Sequence, residues 1–268
     1  MIRRREFITL LGGAAAWPLA ARAQQGNRIQ RIGVLLANDE NDPEGKRRYS
    51  AFTQALAGLG WADGRNVRTD LRWGSGDINR IRALARQLVG LQPDIILTSA
   101  TPTTIALQRE TRTIPIVFVN GGDPVASGIV ARLDRPSGNV TGFALYEGTL
   151  GGKWLELLSE IAPGLNRVAL MFNPDTAPSV YIPSFETAAR SLKLAPIITP
   201  VHGDAEIETA IIALGREPGG GLIVMADVFT TAHRARSYWQ RHETTYRPSI
   251  RCLSLPETAV CSLSEPTR

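Results

Sequence analysis

The side chains able to do chemistry lie in five short clumps, each directly after an apolar run: Asn38-Asp39-Glu40-Asn41-Asp42, Ser99-Ala100-Thr101-Pro102, Asn120-Gly121-Gly122-Asp123-Pro124, Asn173-Pro174-Asp175 and Asp227-Val228-Phe229-Thr230. Hydroxyls, amides and carboxylates dominate them. Such groups suit hydrogen bonding to a small polar solute, and helix N-termini following Thr101 and Asp123 favour a carboxylate on that solute. Asp123, Asp227 or an acid of the first clump (Asp39, Asp42) is placed to meet an amine. The run Ile116 to Asn120 empties into two glycines, an aspartate and a proline. That pattern fits a buried parallel strand opening onto a cleft. It also fits an ordinary strand-to-helix turn.

Catalytic chemistry finds little support in the same residues. A dinucleotide site requires G-x-G-x-x-G after the first strand, and the sequence there is "ANDENDPEG". No G-x-S-x-G elbow occurs. The histidines are His202, beside a strand end, and His233 and His242, nine residues apart on different faces of the last predicted helix. Neither a triad nor a metal set can be drawn from them. Asp39, Glu40 and Asp42 lack the ligand spacing of a calcium loop. No catalytic residue, metal or cofactor is therefore expected. Among the aromatics, Phe52, Trp154 and Trp239 fall at helical core positions, whereas Trp61 and Trp73 sit near loop boundaries and suit either a cleft wall or packing. Tyr146 is the aromatic candidate for covering a bound solute.

The elements that must position these groups alternate strand and helix. Strands are predicted at 31–37, 66–73, from 93, at 114–120 and at 139–145. Helices are predicted at 44–60, at 77–91 and from Pro102. Ile78, Ile81, Leu84, Ala85 and Leu88 form one apolar stripe. The alternation then begins again, with helices at 152–163, 182–192 and 204–214, strands within 166–175 and at 195–201, and a strand followed by a helix over 220–242. This is an α/β fold of two Rossmann-like doubly wound lobes, 28–139 and 140–243, joined near 139–150. One continuous sheet is the alternative. Ligands in such sheets bind at the carboxyl ends of the strands, where the five clumps lie. Residues 244–268 are rich in Ser, Pro and Arg, contain no strand–helix unit and are expected to be an irregular tail, leaving the second lobe incomplete.

The first 23 residues carry a basic head, an apolar middle from Ile8 to Ala20 and the small-x-small end Ala21-Arg22-Ala23. This reads as an export signal cut after Ala23, with Arg4-Arg5 and Phe7-Ile8 as a twin-arginine motif. A general secretory signal is the alternative. The segment holds four of the arginines and Glu6, so its removal takes the formal charge from +5 to +2. No basic stripe with interleaved aromatics remains, which leaves no case for nucleic acid. Cys252 and Cys261 could form one disulfide in an oxidising compartment.

Taken together, "RRREFITLLGGAAAWPLAARAQQ", "RIGVLLANDENDPEG", "PDIILTSATPTTIALQRE", "IPIVFVNGGDPVASG", "GGKWLELLSEIAPGLNRVALMFNPDTAP" and "GGLIVMADVFTTAHR" resemble the periplasmic substrate-binding proteins of ABC transporters, in the group similar to the tryptophan- and tyrosine-binding type. The resemblance runs to about residue 243, and members of the family continue beyond that point with elements that residues 244–268 do not match. It implies a type I periplasmic-binding fold with a hinged cleft, and a monomer that captures a small solute, possibly an amino acid, and delivers it to an inner-membrane permease. By position it implies ligand contacts at Asn38, Asp39, Asp42, Ser99, Thr101, Asn120, Asp123, Thr141, Asn173 and Asp227. A periplasmic sensing module shares the same cleft, and a shortened, non-functional remnant of a receptor is a further reading.

Overall fold

A computed structural model of the protein describes residues 28–136, 138–145, 147–177, 179–225 and 227–233 in full, and the backbone of 249–255 and 258–264. The expected signal segment, Tyr146, Trp239 and His242 lie outside the described residues.

Runs of five to seven residues, apolar except in the alternating Val67–Trp73, become the strands of two separate sheets. The first contains β1 (Gln30–Leu36), β2 (Val67–Trp73), β3 (Ile95–Ser99), β4 (Ile116–Gly121) and β5 (Val140–Ala144), in the order β2-β1-β3-β4-β5 with every pairing parallel. Helices α1 (Pro43–Gly58), α2 (Ile78–Gly90) and α3 (Thr101–Glu110) connect them. Helix α2 forms where the apolar stripe predicts, and it buries Ile81, Ala85 and Leu88 against Leu35, Ile96 and Leu107. Asp42 and Asp77 stand immediately before α1 and α2 and accept from the first free N–H groups of each helix.

The second sheet is built from β6 (Arg167–Phe172), β7 (Ala195–Pro200) and β8 (Gly220–Val224), which are mutually parallel. Helices α4 (Leu150–Ile161), α5 (Ile182–Ser191), α6 (Asp204–Leu214) and the short α7 (Val228–Ala232) accompany them. Strand β6 is apolar on both faces because both are covered. Val168, Leu170 and Phe172 join Trp154, Leu155, Leu158 and Phe185, while Ala169 and Met171 join Ile207, Leu222 and Val224. Each fully buried aliphatic or aromatic side chain here contributes about 1.5–3 kcal/mol by leaving water.

The sheets are separate, as the restart of the sequence pattern after residue 150 predicts. The segment expected to be irregular differs from that expectation. Ser249–Leu255 (β9) and Thr258–Ser264 (β10) form an antiparallel pair, and β10 adds antiparallel to β8, giving the order β7-β6-β8-β10-β9. A composition rich in Ser hides strands whose apolar residues, among them Ile250, Leu253, Val260 and Leu263, are scattered between polar ones. β8, apolar throughout, otherwise offers an unpaired ladder edge that such a segment can satisfy.

Candidate functional site

All strands of the first sheet run the same way, so the segments after β1, β2, β3 and β4 emerge along one edge. Side chains stitch them together. Ser99 Oγ accepts from the Ala37 N–H at 3.3 Å, tying β3 to the exit of β1, and Thr101 Oγ1 accepts from the Gly122 N–H at 3.2 Å, tying the start of α3 to the exit of β4. Asn38 Nδ2 donates to Asp42 at 2.6 Å, while Ser75 donates its hydroxyl to Asp39 at 2.9 Å across from the β2 exit. The bond from the Asn41 N–H and then that from Ser75 hold the Asp39 carboxyl below its ordinary value, so it is an anion at neutral pH. Asp123 accepts from the Val125 and Ala126 N–H groups, both at 3.0 Å, and shapes the turn that follows β4.

Besides Ser75 in the β2 exit, two residues on this edge have exceptional backbone. Ala100 has φ 70° and Asn120 has φ 55°, a region alanine seldom enters and asparagine enters more readily. At Asn120 the β4–β5 register slips between Phe118 and Gly121, and only glycine fits at Gly142 of β5, because a Cβ there would collide with the Phe118 carbonyl oxygen. The Asn120 Oδ1 is buried with no hydrogen-bond partner. Leaving such an acceptor unmet costs about 1–3 kcal/mol. Backbone strain and an unmet polar atom at one strand end mark a place built for something other than stability.

The corresponding edge of the second sheet is closed upon itself. Asp227 Oδ1 accepts from the Thr230 N–H at 2.8 Å and the Thr176 hydroxyl at 3.1 Å, and Oδ2 accepts from the Asn173 N–H at 3.2 Å. The Thr230 hydroxyl completes a capping box at the start of α7. Asn173 Oδ1 is taken by the Asp175 N–H at 2.8 Å. Burial pushes the Asp227 carboxyl up, against the opposing pull of those hydrogen bonds. The two residues expected to touch solute from this lobe thus hold the β6 and β8 exits to each other.

The two edges face one another. Tyr181, buried and packed on Trp154 with ring centroids 5.2 Å apart, lies in the second lobe. Burial first, and then the charge of Asp123 from the first lobe, push its hydroxyl well above the ordinary tyrosine value. Tyr181 was not foreseen from sequence, since a lone tyrosine before Ile-Pro carries no signal of what it will face.

The structure therefore brings Asn38, Asp39, Asp42, Ser99, Thr101, Asn120 and Asp123 to one edge, with Asn173 and Asp227 across from them. It does not bring Thr141, which pairs with Val117 near the start of β4 and is exposed at the opposite end of the sheet. β5 is parallel to β4, so only its far end could reach the site. Trp73 packs edge-on against Tyr49 of α1, centroids 6.5 Å apart, which favours packing over a cleft wall. A cavity of about 540 Å³ lined by Gln108, Arg112, Ile129 and Asn139 lies beside the end of α3 and is separate from the strand exits. Among the described residues no group of three or more His, Cys, Asp or Glu could hold a metal, and no helix is long and apolar enough to cross a membrane.

The described residues thus present two facing sets of polar strand ends on tandem α/β lobes, and comparison with known proteins identifies the family. The sequence pattern of the ABC transporter substrate binding protein family matches residues 40–233. The chain belongs to that family. It is a family of binding proteins, not of catalysts. The chain is 27% identical over 173 residues to a tyrosine-binding protein of Clostridioides difficile, a match covering 64% of this chain and 50% of the relative, so it spans about half that relative's length. Among solved structures, the ABC domain in complex with L-Trp from Streptococcus pneumonia superposes with a TM-score of 0.65 at 21% identity, covering 78% of this chain and 72% of that one. A conserved domain protein of Vibrio cholerae gives 0.63 at 22% identity, covering 79% and 83%. At these identities the structural likeness speaks for the fold.

Proposed function

We propose that this protein is the extracytoplasmic solute-binding component of an ABC importer, exported by its first 23 residues with cleavage after Ala23. In this reading it captures an amino acid between its lobes as a monomer and delivers it to an inner-membrane permease. The observation that carries the reading is the buried, unpartnered Asn120 Oδ1 at a strained strand end, flanked by Thr101 and Asp123. An ammonium group donates to that oxygen and is neutralised by Asp123. A carboxylate accepts from backbone N–H groups at the start of α3, where the helix dipole favours it. Second-lobe residues Asn173 and Asp227 act by keeping the opposing wall in place. No bond is made or broken, because closure of the lobes around the solute and exclusion of water are all that capture requires.

The tyrosine-binding relative and the L-Trp-bound neighbour support an aromatic amino acid as the solute. Thermal unfolding of residues 24–268 with L-tyrosine, L-tryptophan, L-leucine and benzoate tests this directly. A ligand of the folded state raises the melting temperature, by a shift that grows with concentration. The proposal expects a shift with an aromatic amino acid and none with benzoate, which lacks the amine. A shift with benzoate alone, or with no amino acid, overturns it.

A further inference from the structure

The exit of β2 is the turn Gly74-Ser75-Gly76, and it is held unusually firmly. The Gly74 N–H donates to the Leu36 carbonyl at 2.8 Å, the Ser75 N–H to Asn38 at 3.0 Å and the Gly76 N–H to Ala37 at 2.9 Å, while the Ser75 hydroxyl reaches Asp39. Ser75 and Gly76 both adopt left-handed backbone, at φ 53° and 71°. The turn leads into Asp77, which caps α2. None of these bonds explains why the turn rises where it does.

Its tip meets the other lobe. A Cβ built on Gly76 would stand 2.9 Å from the Val228 carbonyl oxygen and 3.2 Å from Ala232 Cβ, both in α7. Helix α7 is tied down in turn, because Asp227 joins its first turn to the β6 exit through Asn173 and Thr176. Two rigid elements of different lobes thus touch at a point where only a hydrogen atom fits between them. Gly64, by contrast, is also left-handed, at φ 77°, yet has nothing within 4 Å of the same imagined atom.

We propose that the Gly76–α7 contact is the seam on which the lobes close, and that glycine at this position sets how far they can approach. A side chain at residue 76 acts as a wedge. It holds the lobes apart without touching solute, and it lowers apparent affinity by the fraction of molecules no longer able to close.

The test compares Gly76→Asn with Gly64→Asn in residues 24–268, since asparagine tolerates left-handed backbone and both variants bear a similar conformational cost. The first measurement is the ligand-free radius of gyration by small-angle X-ray scattering. Wild type and Gly64→Asn are expected to coincide and Gly76→Asn to be larger. An unchanged radius in Gly76→Asn, or an equal increase in both variants, overturns the seam. Ala232→Leu enlarges the same contact from the helix side with no backbone strain, and is expected to expand the molecule likewise. It decides the matter if Gly76→Asn fails to unfold cooperatively, and no expansion there overturns the seam. A second measurement rests on the solute-cleft reading: affinity for whichever amino acid shifts the wild-type melting temperature is expected to fall about tenfold in Gly76→Asn, matching a tenfold smaller closed population. Unchanged affinity alongside an expanded molecule overturns the link between seam and capture but leaves the cleft reading standing. If no amino acid shifts the wild type, the scattering result still decides the seam.

Discussion

The strand ends of the two lobes are made of the same residue types and do different things with them. In the first lobe, Asn38, Asp39, Ser99, Thr101 and Asp123 brace neighbouring loops, while Asn120 keeps a buried oxygen without a partner. In the second lobe, Asp227 fills both its oxygens with Thr230, Thr176 and Asn173, and Asn173 is itself satisfied by the Asp175 N–H. An edge with an unmet acceptor has something to offer a ligand; an edge whose polar groups are paired with one another offers rigidity. In the proposed reading the lobes divide the work, the first contributing recognition and the second a firm wall to close against.

The largest effect that would break this comparison is expected at Asp227. Asp227→Ala leaves three buried donors without their acceptor, at a cost of about 2–4 kcal/mol. Urea unfolding followed by hydrogen exchange is expected to place the loss around β6, β8 and α7, with β1–β4 spared. A loss shared equally by both lobes would contradict the division.

Next comes Asn120→Gly, which removes the amide while keeping the left-handed backbone. Losing the unmet acceptor relieves about 1–3 kcal/mol and the extra backbone freedom of glycine costs about 0.5–1 kcal/mol, so stability is expected to hold or rise. The ligand-dependent rise in melting temperature is expected to disappear. Retention of that rise would show that the unmet oxygen has no ligand role.

Acidity sharpens the contrast because the lobes respond with opposite sign. Asp70 of β2 is held below its ordinary value chiefly by the hydrogen bond from Arg31 Nε, 2.5 Å away. Its stabilisation is complete above the unfolded carboxylate range, near pH 4, and is lost as pH falls through the lower folded value. Asp227 is held above its ordinary value by burial, so its protonated form is favoured in the fold, and its ionisation draws stability away as pH rises from about 4 toward that raised value. Hydrogen exchange read separately for the two sheets between pH 3 and 6 is expected to show the first weakening on acidification while the second gains relative to it. The Asp70 part is about 1 kcal/mol, since the pair is near the surface, and Asp70→Asn is expected to abolish it.

The smallest effect concerns the outer edges. Phe143 is 74% exposed on β5, the outermost strand of the first sheet among the described residues and a template for association between chains. Phe143→Lys is expected to leave unfolding within about 0.5 kcal/mol of wild type and to reduce aggregation measured by light scattering at high concentration.

Much of this was legible before any coordinates. Apolar runs such as Val34-Leu35-Leu36 and Val168 to Phe172 announce strands covered on both faces, and the stripe Ile81, Ala85, Leu88 announces the covering helix, because burial demands those periodicities wherever the partner lies. Asp42 and Asp227, read from sequence as solute contacts, cap helices in the structure, as Asp77 does. The restart of the alternation after residue 150 announces two lobes, and the position of the polar clumps after strands announces that they gather at the carboxyl ends of the sheets. What only the tertiary structure decided depends on neighbours far apart in sequence. Whether Asp227 would face a solute or Thr176, whether Asn120 would find a partner, that Thr141 would land at the wrong end of its strand, that β9 and β10 would pair beside β8, and that Gly76 would meet Val228 are all settled by long-range register and approach. A residue's type sets which hydrogen bonds it can make, but only the packed chain determines which of them are already taken.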